Sequence, residues 1–118
     1  MSDKVYILDQ ITVQPGAVAA YRDAYLLGYA PLARARGMTL EHVRMTPPFE
    51  WREGSNTLHF LWSVKNPDGW WEMRIGGVNG RPLDTSGLGN ADWWQLFAHL
   101  IVSRRRDVFV DYAQEDAV

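Results

Sequence analysis

The segment Val5-Tyr-Ile-Leu-Asp-Gln-Ile-Thr-Val-Gln-Pro-Gly16 determines how the chain begins and, through its pattern, which fold follows. Aliphatic residues stand at alternate positions of this segment, and these are Val5, Ile7, Ile11 and Val13. Such alternation predicts a strand with one apolar face, while the residues between them give it a second, mixed face. Asp9 interrupts the apolar face, because all the remaining residues on that face of the strand are aliphatic.

A helix is expected after Pro15-Gly16, running to about Arg36, with Gly37 as its C-terminal cap. Pro31 should kink this helix or divide it in two. Tyrosines recur at every fourth position, so one face carries Tyr21, Tyr25 and Tyr29 beside Val18 and Leu32. Such a stripe is typical of core packing, although three phenols facing the sheet could also donate hydrogen bonds to a ligand or to the aspartate of the first strand.

The rest of the sequence adds three strands and a second helix. Residues 38–45 and 57–65 predict two strands joined by a hairpin connection over 46–56, and Val108–Tyr112 predicts the last strand. The order is strand, helix, strand, strand, helix, strand, which is the ferredoxin-like order. The expected fold is therefore α+β, with a four-stranded antiparallel sheet and a second helix that a glycine-rich loop interrupts.

Two similar tryptophan phrases mark where the second helix begins and resumes, Asp68-Gly-Trp-Trp-Glu-Met-Arg74 and Ala91-Asp-Trp-Trp-Gln-Leu-Phe97. The residues over 75–90 are too rich in glycine for regular structure and long enough for a lid. Arg104–Arg106 is expected to close the second tryptophan helix, where cations complement the carbonyl end. A short acidic tail, 113–118, follows the last strand.

Composition restricts the class of protein. The chain has 118 residues, which fits a single domain over 1–118, near the size at which oligomerisation helps. A net charge of −2 argues against nucleic acid or an anionic membrane as a partner. The absence of cysteine excludes disulfides, thiolate metal sites and cysteine nucleophiles. No apolar run approaches the roughly 18 residues of a membrane span, and a strand pattern starts at once, so we expect a soluble, unprocessed, cytoplasmic protein.

The strands also carry apolar residues on the face that the chain's own helices cannot cover. Examples are Tyr6 and Leu8 in the first strand, and Val43 and Met45 in the second. An uncovered apolar face needs a partner, and two such sheets packed face to face would bury it. The pattern therefore predicts a homodimer.

Two stretches resemble a known group of proteins. The opening Val5-x-Ile-x-Asp-x-Ile-x-Val-Gln-Pro-Gly16 and the passage Leu61-Trp-Ser-Val-Lys-Asn-Pro-Asp-Gly-Trp-Trp71 are similar to those of dimeric α/β-barrel proteins, and more narrowly of NIPSNAP-like members. The resemblance implies a ferredoxin-like chain that dimerises as an α/β barrel. Its relatives include cofactor-free, quinone-forming monooxygenases of the antibiotic-biosynthesis type, polyketide cyclases, aldoxime dehydratases, haem-degrading oxygenases, muconolactone isomerases and pure binding proteins.

Asp9 is the most informative single candidate for chemistry. Burying its charge among aliphatic side chains is expensive, so the carboxylate either has a partner or keeps its proton near neutral pH. In the second case it could act as a general base inside a pocket. The alternative is a structural aspartate, satisfied by a backbone donor or a buried tyrosine hydroxyl. The resemblance adds that the same strand position holds a catalytic asparagine in the haem-degrading oxygenases.

Two of the three histidines are further candidates for proton transfer. His42 is expected to share a face with Met38, Leu40 and Arg44, and His59 with Thr57, Leu61 and Ser63. Either could carry a proton because its charge changes near neutral pH, although a hydrogen-bonded histidine in a sheet is the commoner case. His99 is expected at the solvent or at an interface. The sequence has no ligand spacing for a metal and no phosphate loop or dinucleotide fingerprint, so no cofactor is expected.

The walls of a ligand pocket are expected to come from aromatic residues and two arginines. The candidates for binding a substrate are Tyr25, Tyr29, Trp62, Trp70, Trp71, Arg74, Arg81 and Trp93. Arg74 could hold a carboxylate, carbonyl or phenolate of a ligand, or could pair with Glu72 or Asp68 on the surface. The resemblance places the pocket tryptophan of the haem-degrading oxygenases at Trp71.

The favoured hypothesis is a small homodimeric enzyme without nucleotide or metal. It would bind a hydrophobic, cyclic or aromatic molecule between sheet and helices and move a proton with Asp9, His42 or His59. Isomerase, cyclase, lyase and cofactor-free monooxygenase chemistry all fit this equipment. One alternative is a non-catalytic protein that binds a hydrophobic ligand. Another is a haem-binding or haem-degrading protein, although no histidine stands in the stretch after Trp71 where those oxygenases place their axial ligand.

Overall fold

A four-stranded antiparallel sheet organises the protein. In a computed structural model, which describes residues 4–65 and 90–112, the strands are β1 (Val5–Val13), β2 (Met38–Thr46), β3 (Thr57–Val64) and β4 (Ile101–Val110). Their order across the sheet is β2-β3-β1-β4, so β1 and β3 are central. With helices between β1 and β2 and between β3 and β4, this is the ferredoxin-like α+β arrangement, and that prediction is confirmed.

The helical segments follow β1 and precede β4. The first runs through α1 (Val18–Ala24), a π-helical turn (Tyr25–Tyr29) and α2 (Ala30–Ala35). The second consists of α3 (Asn90–Leu96) and, after it, a 3₁₀ turn (Ala98–Leu100). At Pro31, where a kink or a division was expected, the backbone remains helical, and the widened turn lies directly before the proline. A proline cannot donate the hydrogen bond of a regular helix, so the wider turn accommodates it.

The π-helical turn also keeps the tyrosines on one side of the helix. An α-helix has 3.6 residues per turn, so positions four apart drift around the axis by about 40° at each step. A π turn takes up one extra residue and reverses that drift, and here the amide of Ala30 donates to the carbonyl of Tyr25. The tyrosine stripe is confirmed as buried, because no member is more than 1% exposed: Tyr21, Tyr25 and Tyr29.

One face of the sheet is covered by helices, which we call the covered face, and the other is the open face. On β1 the odd-numbered residues are buried on the covered face and the even-numbered ones are partly exposed on the open face. The strand residues of the core are Val5, Ile7, Ile11, Val13, Met38, Leu58, Phe60, Trp62 and Val64. Asp9 lies among them and is itself fully buried.

A bulge in β2 reverses the alternation of that strand. Its pairing with β3 shifts between Leu40 and His42, which leaves Glu41 as the extra residue. Leu40 stands opposite Trp62 on the covered face, whereas His42 stands opposite Leu61 on the open face. A bulge of one residue therefore moves everything after it to the other side of the sheet.

Two predictions about β2 are wrong because of this bulge. His42 does not share a face with the first residues of its strand. Val43 and Met45 stand opposite Phe60 and Leu58, so they belong to the covered face and not to the uncovered apolar face on which they were predicted.

Strand β4 is longer than the sequence predicts. It begins at Ile101 instead of Val108, and α3 ends at Leu96. The prediction that Arg104–Arg106 closes a helix is therefore wrong, since the three arginines lie within β4. They alternate between the faces because the strand pairs with β1, and Arg106 stands directly opposite Asp9.

Several predictions concern residues outside the described ranges. They are the first tryptophan phrase with Trp70, Trp71 and Arg74, the glycine-rich segment with Arg81, and the acidic tail over 113–118. The roles expected for these residues stay predictions, as does the single domain. In the described ranges, no helix combines the length and the apolar character needed to cross a membrane.

Candidate functional site

Asp9 and Arg106 form an ion pair between β1 and β4. Arg106 donates from Nε to Oδ1 of Asp9 at 2.6 Å and from Nη2 to Oδ2 at 2.9 Å, so the guanidinium holds both carboxylate oxygens. The side chain of Asp9 is fully buried, while 25% of the Arg106 side chain is exposed. The arginine supplies the partner that the buried carboxylate requires.

Two tyrosines and a tryptophan extend this pair into a network. The Tyr25 hydroxyl donates to Oδ2 of Asp9 at 2.8 Å, and Nε1 of Trp62 donates to the Tyr25 hydroxyl oxygen at 2.6 Å. Nη2 of Arg106 also donates to the hydroxyl oxygen of Tyr29 at 2.9 Å. These five residues are called the Asp9 network below: Asp9, Tyr25, Tyr29, Trp62 and Arg106.

Aromatic rings surround the Asp9 network. Tyr25 lies nearly flat on Phe60, with ring centroids 3.6 Å apart and planes inclined by 15°. The ring of Trp94 stands 5.1 Å from that of Tyr29. On the outer side of Trp94, the guanidinium carbon of Arg104 lies 3.7 Å from the centre of the indole. The site is therefore a charged centre with aromatic walls and a second guanidinium beside it.

Gly28 allows α3 to pack closely on the π-helical turn. A β-carbon at this position would stand 2.3 Å from Nε1 of Trp93, so a larger residue would displace the indole. Trp93 is 6% exposed and also stands 5.9 Å, centroid to centroid, from both Tyr21 and Tyr25. In the structure Trp93 thus docks α3 onto the tyrosine stripe.

Burial and charge set the protonation of the network. Burial raises the pKa of Tyr25 well above its ordinary value, and the charge of Asp9 raises it further, so the phenol stays neutral. Burial opposes the charge on Arg106, but the hydrogen bond and the charge of Asp9 outweigh this effect and raise the pKa of the guanidinium. The network therefore combines a neutral phenol with a permanently charged guanidinium.

Two groups of the network, Arg106 and Tyr29, keep donor hydrogens that no described residue uses. Both oxygens of Asp9 accept hydrogen bonds, and the hydroxyl of Tyr25 donates one and accepts another, and both side chains are fully buried. Arg106 is partly exposed, and the hydroxyl hydrogen of Tyr29 is uncommitted among the described residues. The geometry gives Asp9 the role of holding Arg106 and Tyr25 in place.

The two candidate histidines lie on the open face, on the other side of the sheet from Asp9. His42 and His59 line a cavity there of about 150 Å³, together with Arg44 and two leucines. The structure does not bring either histidine to the Asp9 network. His99 lies in the 3₁₀ turn before β4.

Two further cavities lie beside α1, of about 190 Å³ and 240 Å³. Both are lined by Val18 and Glu50, and neither is lined by a residue of the Asp9 network. Within the described ranges, no three histidine, aspartate or glutamate side chains converge in a way that would hold a metal ion. The Asp9 network is accordingly the strongest candidate site, since it combines burial, charge and aromatic walls.

Arg106 is the functional candidate that the sequence interpretation missed. The signal was present, because Arg104, Arg106 and Val108 alternate with Arg105 and Asp107 as in a two-faced strand. A second signal was the aspartate itself, since a buried carboxylate in a central strand calls for a cation on a neighbouring strand.

The fold is shared with solved structures of two related kinds. A NIPSNAP family protein of unknown function from Agrobacterium tumefaciens superposes with a TM-score of 0.62 at 13% identity, over 91% of this chain and 86% of that one. A putative antibiotic biosynthesis monooxygenase from Nitrosomonas europaea gives 0.63 at 8% identity, over 95% and 93%. A variant of SnoaB, a cofactor-independent oxygenase from Streptomyces nogalater, gives 0.56 at 16% identity, over 97% and 98%.

Sequence comparison adds no nearer relative, because neither a family model nor a curated protein matches the chain. At identities below a fifth, structural likeness shows the fold and leaves the activity open. The resemblance inferred from the opening strand is confirmed at that level: the chain has the fold of NIPSNAP and antibiotic biosynthesis monooxygenase proteins.

Proposed function

We propose that this protein is a small cofactor-independent enzyme that acts on a hydrophobic, cyclic or aromatic molecule by proton transfer. The observation that supports it most is the Asp9 network, in which a charged pair stands among aromatic rings with the guanidinium of Arg106 as its accessible end. Aromatic walls suit a flat, apolar substrate. A fixed positive charge in such surroundings stabilises a negative charge that develops on the substrate.

The proposed chemistry begins with transfer of a proton from an acidic C–H or O–H group of the substrate to solvent water or hydroxide, because both oxygens of Asp9 are already engaged. Arg106 stabilises the resulting anion, and Asp9 keeps the guanidinium in place as a positioning residue. The same anion is the first intermediate of an isomerisation, an elimination or a cyclisation. In an oxygenation it reacts with O₂: an anthrone loses two hydrogen atoms and gains one oxygen atom to become a quinone, and the other oxygen atom leaves as water.

Oxygen uptake with an anthrone such as dithranol tests the oxygenase form of this proposal. We expect the protein to accelerate uptake over buffer, and Arg106→Lys to lose about a hundredfold, because lysine cannot hold both carboxylate oxygens and still face a ligand. Arg105→Lys is the matched control, since Arg105 stands next in the strand on the open face. Equal rates for the wild type and Arg106→Lys would show that the guanidinium takes no part in the reaction.

A non-catalytic protein that binds a hydrophobic ligand is the alternative, and one observation favours it. Asp9 and Tyr25 have their hydrogen-bonding groups engaged with each other, with Arg106 and with Trp62, so neither is free to take a proton from a ligand. Isothermal titration of aromatic ligands against the same variants separates the cases. Binding that depends on Arg106, without turnover of any bound compound, supports the alternative.

We also propose that two copies of the chain pack through their open faces. Tyr6, Leu8 and Leu61 lie on the open face and remain partly exposed in the single chain. Phe109, which stands opposite Tyr6, is 45% exposed. Apolar side chains on a sheet face that none of the described helices covers favour association. Sedimentation velocity at micromolar concentration tests this: we expect a dimer for the wild type and a monomer for Leu61→Asp. A monomeric wild type would contradict it.

A further inference from the structure

The groups that remain free around the Asp9 network are all hydrogen-bond donors. Arg106 has five N–H hydrogens. Nε uses its one hydrogen on Asp9, and Nη2 uses its two on Asp9 and Tyr29, so the two on Nη1 have no partner among the described residues. The hydroxyl oxygen of Tyr29 accepts from Nη2, which leaves its own hydrogen to be donated.

These free hydrogens stand next to each other. Nη1 and Nη2 are bonded to the same guanidinium carbon, and Nη2 lies 2.9 Å from the Tyr29 hydroxyl. A single acceptor atom can therefore take hydrogen bonds from Nη1 of Arg106 and from the hydroxyl of Tyr29. The position is fixed in space, because Tyr29 is 1% exposed and Asp9 holds the guanidinium at two points.

The charge around this position is positive. Arg104 stacks on Trp94 beside Tyr29. Arg36 lies at the end of the same helix, and its Nε and Nη2 atoms are buried without a hydrogen-bond partner in the described part of the chain. Burial of this guanidinium lowers the pKa of Arg36, and the nearby charge of Arg106 lowers it further. Against these three arginines, the covered face within the described ranges offers one buried carboxylate, and its oxygens are already engaged.

We propose that the ligand of this site carries an ionised oxygen on an aromatic body, as a carboxylate, phenolate or enolate, and that Nη1 of Arg106 and the hydroxyl of Tyr29 bind that oxygen. The proposal rests on the proposed function, because it names the substrate class of the same site. A cationic ligand would meet the guanidiniums of Arg36, Arg104 and Arg106, with no free buried anion among the described residues. A neutral ligand that only donates would find no acceptor, since Asp9 and Tyr25 are already bound.

The test compares two probes of nearly the same shape, 2-naphthoate and 2-naphthamide, by isothermal titration near neutral pH. We expect the wild type to bind the carboxylate at least about tenfold more tightly than the amide, the effect of a hydrogen bond to a charged group. Tyr29→Phe should reduce this preference severalfold without loss of amide binding. Arg106→Lys should weaken it further, because lysine cannot replace the fork of donors. Arg105→Lys should keep the full preference.

The outcomes separate this inference from the proposed function. If the two probes bind equally tightly, the anionic substrate class is overturned, while an aromatic site at the network still stands. If neither probe binds, or if both bind unchanged in Tyr29→Phe and Arg106→Lys, the placement of the ligand at the Asp9 network is overturned as well. Urea unfolding of each variant shows whether it remains folded under the titration conditions.

Discussion

Two neighbouring arginines of β4 make ion pairs on opposite faces of one sheet. Arg106 holds Asp9 on the covered face, where the carboxylate is fully buried. Arg105 holds Asp107 on the open face at 2.9 Å, where 74% of the arginine side chain and 29% of the aspartate side chain are exposed. The chemical groups are the same, and the two arginines are adjacent in sequence.

The comparison shows that the surroundings decide what such a pair does. An exposed pair is solvated whether or not it forms, so it contributes little to stability. In a buried pair each partner is required by the other, because removing one leaves an uncompensated charge. The covered pair can therefore present a fixed guanidinium to a ligand, whereas the open pair adjusts freely to the solvent.

The largest contrast is expected on removal of each arginine. Arg106→Ala should lower the free energy of unfolding by about 3–5 kcal/mol, because Asp9 loses its partner inside the core. Arg105→Ala should cost less than about 1 kcal/mol. Urea denaturation of both variants measures the difference. Equal losses would mean that burial does not separate the two pairs.

A smaller contrast lies within the tyrosine stripe of the covered face. Tyr25→Phe should cost about 1–3 kcal/mol, because Trp62 and Asp9 each lose a buried hydrogen bond. Tyr21→Phe is the matched control: the side chain is equally buried, but its hydroxyl has no partner within residues 4–65 and 90–112, so the change should be neutral or slightly stabilising. A loss as large at Tyr21 as at Tyr25 would contradict the hydrogen-bond assignment.

The buried phenols of Tyr21 and Tyr25 should also make the protein less stable in alkali. Burial raises the pKa of Tyr21, so this phenol stays neutral in the folded state and ionises in the unfolded chain above about pH 10. A group with a raised folded pKa stabilises the protein below its unfolded value, and that stability is lost as the pH rises beyond it. One such phenol should cost about 1.4 kcal/mol at one unit above that value. Urea titrations across this range should show a shallower decline for Tyr21→Phe, and identical slopes would rule the effect out.

The smallest effect is expected at a carboxylate of the open face. The hydrogen bond from Ser63 lowers the pKa of Glu41, so the interaction stabilises the protein above the unfolded value and is lost as the pH falls below it. Because 29% of the Glu41 side chain is exposed and solvent screens its interactions, we expect no more than about 0.5 kcal/mol. Ser63→Ala should reduce this dependence between neutral pH and about pH 4, while the ion pair of Glu41 with Lys4 retains part of it. If Ser63→Ala changes the acid dependence of the free energy of unfolding by more than this amount, Glu41 is less solvated than the structure shows.

The parts of the fold that the sequence predicted are those with a local pattern. Strand β1 alternates strictly, and the tyrosines repeat at a fixed spacing, so each could be interpreted within its own segment. Asp9 was found for the same reason, as a charge within an apolar alternation. These features need no knowledge of what lies beside them in the sheet.

The missed features depend on contacts between distant segments. Three arginines after an apolar helical pattern suit the end of a helix as well as a strand, and pairing with β1 decides between them. That pairing places Arg106 opposite Asp9 across 97 positions of sequence. The extra residue at Glu41 likewise becomes visible only when β2 is aligned with β3. Both features belong to the register of the sheet, which no single segment contains.

The bulge at Glu41 has a consequence for how this strand can change during evolution. It divides β2 into two halves. Before Glu41 the even-numbered residues lie on the covered face, and after it the odd-numbered residues do. Deletion of one residue would merge the halves and force a choice: either Met38 and Leu40 or Val43 and Met45 would have to leave the covered face. Substitutions alter one side chain at a time, so in β2 the loss of a single codon is a larger structural change than any exchange of one residue for another.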